Sequence, residues 1–383
     1  MSINTKRIGI IGGGQLGKMM ILEAKRLGLY VVTLDPDPDC PSSSISDALI
    51  VASLNDEAAI FELAAQVDVI TYEFENINAA ALLQLEQQGH AIYPTAKSLM
   101  VIKDKFAQNQ AMQDADIPVP RFVRVQSTQD IAQAGESLGF PLMLKTTMGG
   151  YDGKGTALVR DAASIEGAFL ALGAGEKGLM VEEFVPFEKE ISIIATRGID
   201  GARTIFPIAE NHHENSILDT TIVPARIDDA TAARAAEIAD RVMELFEGVG
   251  TFGIEMFVTK DGAVSVNEIA PRPHNSGHYT IEGCLANQFE NHVRAIVGLP
   301  LGDITLRQPT VMVNLLGESD GPARLLGVEE AYAADPNLMV HLYGKSQSKR
   351  LRKMGHLTVV DQTVEGAIAR AEVARALVQV VGT

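Results

Sequence analysis

The sequence has few cysteines, fewer basic than acidic residues and no long apolar run, and each of these features disfavours a class of protein or partner. Only two cysteines, Cys40 and Cys284, occur in 383 residues, in neither CxxC nor zinc-type spacing, so a disulfide scaffold or structural zinc site is not expected. Lysine and arginine (32) are outnumbered by acidic residues (49), and a net charge of −17 disfavours nucleic-acid partners. No apolar run approaches the ~20 residues of a membrane span, and no signal-peptide pattern precedes the first apolar segment. We therefore expect a cytoplasmic protein without membrane partners.

The spacing of apolar segments predicts two different kinds of sheet. Strands alternate with helices over the first hundred residues, the pattern of a doubly wound parallel sheet. From about residue 98, short strands joined by glycine-bearing loops indicate an antiparallel α+β arrangement. A helix capped by Asp228 or Asp229 and ended by Gly248 is expected later. The predicted strands are 7–11, 29–34, 67–71, 91–93, 140–145, 156–159, 179–185 and 190–196, the early helices are 18–27 and 105–112, and the predicted domains are 1–98, 99–300 and 301–383.

The first glycine-rich loop, Gly12 to Gly17 (GGGQLG), lies between a predicted strand and a predicted helix. With Asp35 at the end of the next strand, it matches the dinucleotide-binding pattern G-x-G-x-x-G. Amides at a helix N-terminus also bind other polar or phosphorylated ligands, and the loop can be a structural turn alone. The three interpretations remain open on this motif.

A second glycine-rich loop, Gly149 to Gly155 (GGYDGKG), lies between two predicted strands. It is not a Walker A loop, because Met148 and Gly155 occupy positions where that motif needs glycine and Ser or Thr. Four glycines and Lys154, with Lys145 on the preceding strand, suit a lid that lays amides on phosphates. A long hairpin loop without a ligand is the alternative.

A hairpin around Asp261-Gly262 places two glutamates opposite each other. If these two residues form the turn, Val258 faces Ser265 and Glu255 faces Glu268. Directly opposed carboxylates repel, so a cation is expected between them. Oxygen donors without nearby His or Cys favour magnesium, which completes its shell with phosphates and water. An exposed acidic pair, or a pair with one protonated glutamate, is the alternative.

Three further segments are candidates for binding. The polar, proline-stiffened run from Ala270 to His278 is typical of a site loop. The end of a predicted strand at Glu182 to Val185, with Glu190, could hold a nucleoside or form a surface acidic strand. The stretch from Lys345 to His356 concentrates basic residues in an acidic chain and could bind a phosphate monoester or form a solvated face.

Taken in order, these motifs resemble the ATP-grasp superfamily, and within it the branch that carboxylates aminoimidazole ribonucleotide in purine biosynthesis. The resemblance covers nearly the whole chain. It implies α/β and α+β architecture: an ATP-grasp domain after a Rossmann-like pre-ATP-grasp domain, with a small β-rich C-terminal domain. It also implies an ATP-dependent carbon-nitrogen ligase, with ATP and magnesium as cofactors and a homodimer as the assembly. The motifs that carry it are GGGQLG, YEFEN (72–76), GGYDGKG, NEIAPRPHNSGH (267–278) and YGK…RKMGH (343–356).

The resemblance assigns roles to individual positions. ATP would be held by Lys105, Lys145, Gly150, Tyr151, Asp152, Gly153, Lys154, Gly155, Thr156, Glu182, Glu183, Phe184, Val185, Glu190, His213, Asn267 and Glu268. Magnesium would be bound by Glu255 and Glu268. Aminoimidazole ribonucleotide would meet Gln15, Leu16, Glu73, Arg272 and Asn275, with Lys345, Arg352 and Lys353 on its 5′-phosphate. Bicarbonate and the reacting amine would be handled by Tyr151, Asp152, Lys154, Arg272, His274 and Asn275.

Other functions compete with this one. A formate-dependent phosphoribosylglycinamide formyltransferase shares most of the architecture, but its pattern has Asp-Thr where this chain has Asn275-Ser276. A nicotinamide-dependent dehydrogenase would explain the first glycine loop and Asp35 but would leave the opposed glutamates and the second glycine loop without a role. A non-catalytic regulator would bind ATP without turnover.

Overall fold

The N-terminal part is a parallel sheet with helices on both faces. A computed structural model describes residues 6–150, 153–176 and 178–383. The sheet order β3-β2-β1-β4-β5 is that of a doubly wound fold, as the sequence predicted. Strand β3 was not foreseen. The elements are β1 (Arg7–Ile11), α1 (Gln15–Arg26), β2 (Tyr30–Asp35), β3 (Ala48–Val51), α2 (Glu57–Ala64), β4 (Val69–Tyr72), α3 (Ala79–Gln87), β5 (Ala91–Ile92) and α4 (Ala96–Ile102).

A small antiparallel sheet follows, in the order β6-β9-β7-β8. Its apolar side chains pack against two helices in a core of their own. The predicted strand 179–185 ends at Glu183, and residues 184–186 connect it to the next sheet. The elements are α5 (Lys105–Asp114), β6 (Phe122–Val125), α6 (Thr128–Leu138), β7 (Leu142–Thr146), β8 (Thr156–Val159), α7 (Ile165–Ala171) and β9 (Leu179–Glu183).

A large antiparallel sheet forms the centre of the molecule. Asp228 caps α8, as predicted, but the helix ends at Phe246 and the left-handed residue is Glu247 (φ 48°) rather than Gly248. One face of the sheet packs on α8 in a continuous apolar core. The elements are β10 (Phe187–Arg197), β11 (Arg203–Ile205), β12 (Ala209–Glu214), β13 (Ile217–Val223), α8 (Asp229–Phe246), β14 (Gly250–Thr259), β15 (Val264–Ala270), α9 (Thr280–Gly283) and α10 (Gln288–Val297).

The C-terminal strands extend this large sheet, whose order is β15-β14-β10-β12-β13-β16-β20-β18. Because β13 pairs with β16, the sheet continues across the division predicted at residue 300. Among the described helices, none combines the length and hydropathy that crossing a membrane requires. The remaining elements are β16 (Thr310–Leu316), β17 (Gly321–Leu326), α11 (Val328–Ala334), β18 (Met339–Leu342), β19 (Gln347–Ser348), β20 (Lys353–Val360), α12 (Val364–Leu377) and β21 (Gln379–Gly382).

Helix α10 joins the N-terminal sheet to the large sheet through His292. The backbone N–H of Thr251 donates to Nδ1 (3.1 Å), so Nε2 carries the hydrogen and donates to the Thr71 hydroxyl (2.9 Å). Thr71 belongs to β4 and Thr251 to β14, and all three side chains are fully buried. A neutral imidazole therefore ties the two sheets together.

We predict that protonation of His292 weakens the fold. Burial lowers the pKa of His292 to about 3. The unfolded chain binds this proton near pH 6.5, so the free energy of unfolding should fall as pH drops from there towards 3, by up to about 1.4 kcal/mol per pH unit for this group. Urea unfolding at pH 5 to 7 should show a shallower pH dependence for His292→Gln than for the wild type. An unchanged slope would contradict the prediction.

Candidate active site

The opposed glutamates lie where the sequence places them. Glu255 on β14 pairs directly with Glu268 on β15. The turn differs, because Thr259 bonds to Ala263 and the loop holds three residues, ending at Gly262 with φ +77°. Val258 therefore faces Val264 and not Ser265, and an extra residue in β15 restores the expected pairing at the glutamates. The longer turn and the extra residue in β15 therefore offset each other in the register of the two strands.

The two carboxyl groups differ in protonation. Desolvation in the cleft raises the pKa of Glu255 to about 7, with the neighbouring Glu268 adding to the effect. Desolvation acts on Glu268 too, but Lys105 outweighs it, with Nζ 2.7 Å from Oε1, and lowers the pKa of that carboxyl. The pKa of Glu255 is thus raised and that of Glu268 lowered, although the two carboxyl groups face each other.

The donor set fits magnesium. Within the described ranges, no group of three or more His, Cys, Asp or Glu side chains is arranged to hold a metal ion. The oxygens available are the two carboxylates and the side-chain amide of Asn267, which accepts a hydrogen bond from Lys145 at 3.3 Å. Magnesium typically takes one or two carboxylates and leaves the rest of its shell to phosphates and water.

Lys145 and Glu182 face the opposed pair from the small sheet. Lys145 Nζ lies 2.6 Å from Glu182 Oε2, and both side chains are almost fully buried. Asn109 on α5 donates to the other oxygen of Glu182 (2.9 Å). Lysines 105 and 145 thus approach the glutamates from two different elements, which concentrates positive charge where phosphates would bind.

The neighbouring residues of β9 divide between the two faces of the strand. Glu183 is turned away from Lys145 and pairs with Arg121 (2.6 Å), so its contribution to a nucleotide would come from its backbone. Phe184 and Val185 lie in the connection to β10. On β10, Glu190 pairs with His213 (2.6 Å), and this carboxylate outweighs desolvation and raises the pKa of the imidazole.

The second glycine-rich loop connects β7 to β8. Gly153 and Gly155 have φ of +74° and +82°, and a Cβ on Gly153 would lie 2.5 Å from Ser216. Thr156 closes the loop by donating to the carbonyl of Gly153 (3.0 Å). Gly150 and Lys154 also belong to this loop, whereas Tyr151 and Asp152 lie outside the described residues.

The first glycine-rich loop already holds carboxylates. Glu73, after β4, accepts hydrogen bonds from the amides of Gly14 and Gly17 (2.6 Å for Gly17) at the N-terminus of α1. Asp35 accepts from the amide of Gly13 at 2.7 Å. These are the amides that a dinucleotide pyrophosphate would use, so the structure disfavours the dehydrogenase interpretation.

The residues after this loop have separate roles. Helix α1 begins at Gln15, three residues earlier than predicted, because Gly14 is its N-cap. Gln15 is partly exposed at this end. Leu16 is 7% exposed and packs in the core that includes Tyr343, so only its backbone could meet a ligand.

The proline-stiffened loop brings Arg272, His274 and Asn275 to the same region. Arg272 pairs with Glu75 of the N-terminal part (2.8 Å) and also influences the pKa of Glu73. His274 Nε2 lies 3.8 Å from Glu255, and desolvation, with Arg272 nearby, holds the pKa of this imidazole well below its usual value. The loop therefore connects the first glycine loop to the opposed glutamates.

The C-terminal basic stretch reaches the same cleft. Lys345 Nζ donates to the carbonyl of Lys353 at 2.8 Å. Lys353 is close enough to Glu255 and His213 for its charge to oppose the rise in the pKa of each. Arg352 is partly exposed and donates to the carbonyl of Gln347 (3.0 Å). All three parts of the chain thus contribute charged side chains.

Sequence reasoning missed three residues that shape the site. Glu75 lies in the YEFEN motif, but the resemblance assigned it no role. Gln288 exchanges two hydrogen bonds with the backbone of His274 (2.9 and 2.8 Å). Asn314 forms a reciprocal amide pair with Asn275 (3.0 and 2.7 Å). No local pattern marks the last two, because their partners are distant in sequence.

Three family models match consecutive parts of the chain. Residues 5–103 match the ribonucleotide synthetase preATP-grasp domain, residues 110–289 the ATP-grasp domain, and residues 310–370 the phosphoribosylaminoimidazole carboxylase C-terminal domain. The fold and the site thus define an ATP-grasp enzyme, a class of ATP-dependent ligases.

Individual relatives narrow the class further. N5-carboxyaminoimidazole ribonucleotide synthase of Staphylococcus epidermidis is 42% identical over 93% of each chain. The crystal structure of the Thermotoga maritima synthetase has a TM-score of 0.91 and 44% identity, covering 99% of this chain and all of that one. The Aspergillus clavatus enzyme, solved in complex with ADP and 5-aminoimidazole ribonucleotide, has a TM-score of 0.90 and 33% identity, covering 98% of this chain and 99% of that one. The chain belongs to the N5-carboxyaminoimidazole ribonucleotide synthase family.

We predict that Gly14→Ala destabilises the protein by roughly 2 kcal/mol, because it separates Glu73 from the helix amides. The new Cβ would lie 2.5 Å from Glu73 Oε1, and φ of −73° means that no backbone strain contributes. Gly167→Ala is the matched control, since its Cβ meets nothing within 4 Å. In helix α7 this control should be stabilising by about 0.5–1 kcal/mol. Chemical denaturation of both variants checks the difference, and equal effects would refute the role of Glu73.

Proposed function

We propose that this chain uses ATP and bicarbonate to carboxylate 5-aminoimidazole ribonucleotide to N5-carboxyaminoimidazole ribonucleotide, a step of purine biosynthesis. The observation that carries the proposal is the opposed pair Glu255 and Glu268 flanked by Lys105 and Lys145. The Aspergillus relative, bound to ADP and the aminoimidazole substrate, supports the choice of substrate. The family names favour carboxylation over the formyltransferase alternative.

The chemistry divides into two steps. A bicarbonate oxygen attacks the γ-phosphorus of ATP, the bond to the bridging oxygen breaks, and ADP leaves with carboxyphosphate formed. The exocyclic amine of the substrate then takes the carboxyl carbon as CO2, phosphate leaves, and the amine gives up a proton. The first step develops charge on phosphoryl oxygens, and the second needs exclusion of water.

The lysines and acidic residues support the first step. Lys105 and Lys145 give up their ion pairs with Glu268 and Glu182 to phosphate oxygens, which offsets charge on the transferring group. Glu190 and His213 hold the ribose. Phe257, on the same face of β14 as Glu255, lies beside the base in this proposal. The ring of Phe187 stacks on that of Phe257, with ring centroids 4.8 Å apart. Glu255 and Glu268 would hold magnesium, which would supply Lewis-acid neutralisation of the phosphates.

The loops from the N- and C-terminal parts support the second step. Arg272 is held by Glu75 and has a buried Nε without a partner among the described residues, which suits it to bind bicarbonate or carboxyphosphate. His274 and Asn275 orient the reacting amine. Gln15 and Glu73 lie at the imidazole end, and Lys345, Arg352 and Lys353 at the 5′-phosphate end. Tyr151, Asp152 and Lys154 act on bicarbonate and the reacting amine in this proposal, as the family resemblance implies.

We further propose a homodimer in the cytoplasm. The family resemblance supports the dimer. Cys40 and Cys284 are both buried and unpaired, which fits a reducing compartment. Sedimentation equilibrium tests the assembly, and a monomer at micromolar concentration would contradict it.

The proposed reaction predicts bicarbonate-dependent turnover. ADP release should require magnesium-ATP, 5-aminoimidazole ribonucleotide and bicarbonate together, and should cease in bicarbonate-depleted buffer. Mass spectrometry of the product should show the added carboxyl group, which separates turnover from uncoupled ATP hydrolysis. A requirement for phosphoribosylglycinamide and formate would instead move the chain to the formyltransferase reaction.

We predict that Glu255→Gln lowers kcat by at least about 100-fold, because an amide cannot replace the charge of a metal ligand. Glu188→Gln is the matched control, because Glu188 is an exposed glutamate on β10 that has no role in the proposed site. It should keep wild-type turnover. Steady-state assays over a range of magnesium concentrations check both variants. Full activity of Glu255→Gln at low magnesium would refute the metal assignment.

A further inference from the structure

One face of the C-terminal sheet carries a row of three polar side chains. Asn314 on β16 pairs with His356 on β20, and His356 pairs with His341 on β18. Directly paired residues point to the same side of a sheet, so the three form one cross-strand row. The apolar residues next to them, including Leu357, point to the opposite side and pack under α12. We call Asn314, His356 and His341 the polar row.

Each member of the polar row contacts the segment from Asn275, in the site loop, to Glu282 on α9. Asn314 exchanges hydrogen bonds with Asn275, the ring of His356 lies 4.7 Å from that of His278, and His341 Nε2 lies 2.7 Å from Glu282. The three partners, at positions 275, 278 and 282, follow one another at about one helical turn. The row and the segment therefore meet along their length.

The contact at Asn275 fixes the direction of its side chain. Asn314 Nδ2 donates both to Asn275 Oδ1 (2.7 Å) and to the carbonyl of Leu218 (2.7 Å), so both of its hydrogens are used. Asn275 returns a hydrogen bond to Asn314 Oδ1, and both residues are buried. A flipped Asn275 amide would set donor against donor, which is costly in a buried site.

The rest of the row is also restrained. His341 and His356 stack with centroids 4.4 Å apart and ring planes 12° apart. The hydroxyl of Tyr343 lies 3.0 Å from His356 Nδ1. Tyr343 comes two residues before Lys345, one of the residues proposed to bind the 5′-phosphate. The row thus links the loop that carries Asn275 to the strands that carry the basic residues.

We propose that the polar row is a positioning device that holds Asn275 for carboxyl transfer. The inference rests on the proposed function. The row acts through Asn275 and not through the groups that would bind ATP. Lys105 contacts Glu268, and Lys145 contacts Glu182 and Asn267. Glu182 also accepts from Asn109, and none of these contacts involves the polar row. Loss of the row should therefore leave carboxyphosphate formation intact and impair its use. Water then takes the place of the amine and returns bicarbonate and phosphate.

The test compares product with ADP in the variant Asn314→Ala. A coupled enzyme forms carboxylated product and ADP in equal amounts. We expect the ratio of product to ADP to fall roughly tenfold, because small misplacements of reacting groups lower reaction rates by this factor or more. The KM for ATP should stay at the wild-type value. Thr358→Val is the control: its hydroxyl lies two residues from His356 on β20 and is buried without a partner among the described residues, so the ratio should not change.

A pair of milder variants tests the outer end of the row. His341→Ala removes the contact with Glu282, whereas His341→Gln keeps an amide that can donate to it. The side chain of His341 is 30% exposed, so both variants should fold even if Asn314→Ala does not. We expect uncoupling in His341→Ala and at least partial rescue in His341→Gln.

The outcomes separate the two proposals. A wild-type enzyme that makes no carboxylated product would overturn the proposed function and the positioning role together. An active wild type with fully coupled turnover in Asn314→Ala, or in His341→Ala where the first variant does not fold, would overturn the positioning role alone. A parallel loss of ADP and product with a raised KM for ATP would also overturn it, because that is the result of general structural damage.

Discussion

The site depends on the close opposition of two carboxylates. Glu255 and Glu268 are held in register by main-chain pairing, so their repulsion cannot relax by strand slippage without breaking the sheet. The surrounding residues respond to that constraint: Lys105 neutralises Glu268, and Lys353 approaches Glu255. The opposed carboxylates need positive charge between them, and the nearby lysines attract phosphates. This combination suits a metal ion that binds together with phosphates.

The first glycine loop shows how a phosphate-binding geometry can be kept while its ligand is replaced. The carboxylate of Glu73 satisfies the amides at the start of α1, where a pyrophosphate would otherwise bind. Burial raises the pKa of Glu73, whereas the hydrogen bonds from the amides of Gly17 and Gly14 act to lower it. The short motif is the same in both cases. What differs is the residue just after β4, the strand beside β1 in the sheet, at a position that the motif does not specify.

Local patterns therefore predicted the elements better than the contacts between them. The parallel sheet, the lysine on β7 and the pairing of Glu255 with Glu268 followed from alternation and turn signals, although the pairing was right only because a longer turn and a bulge compensate each other. Alternation along β9 could have shown that Glu183 points to the face opposite Glu182, where the structure pairs it with Arg121. The roles of Gln288 and Asn314 could not be read from the sequence, because each is defined by a hydrogen-bond partner on another element.

Helix α10 explains how a proline-stiffened loop can hold His274 in a defined position. Gln288 and His292 are one turn apart on this helix: the first holds the backbone of His274, and the second ties β4 to β14. The carbonyl of Gln288 also accepts a hydrogen bond from the Thr251 hydroxyl (3.2 Å). Gln288 and His292 are therefore both bonded to Thr251 on β14. Because the helix is buried on nearly all sides, its position is set by packing with both large parts of the molecule. The loop takes its geometry from that packing, and the same contacts that join the sheets also orient the site.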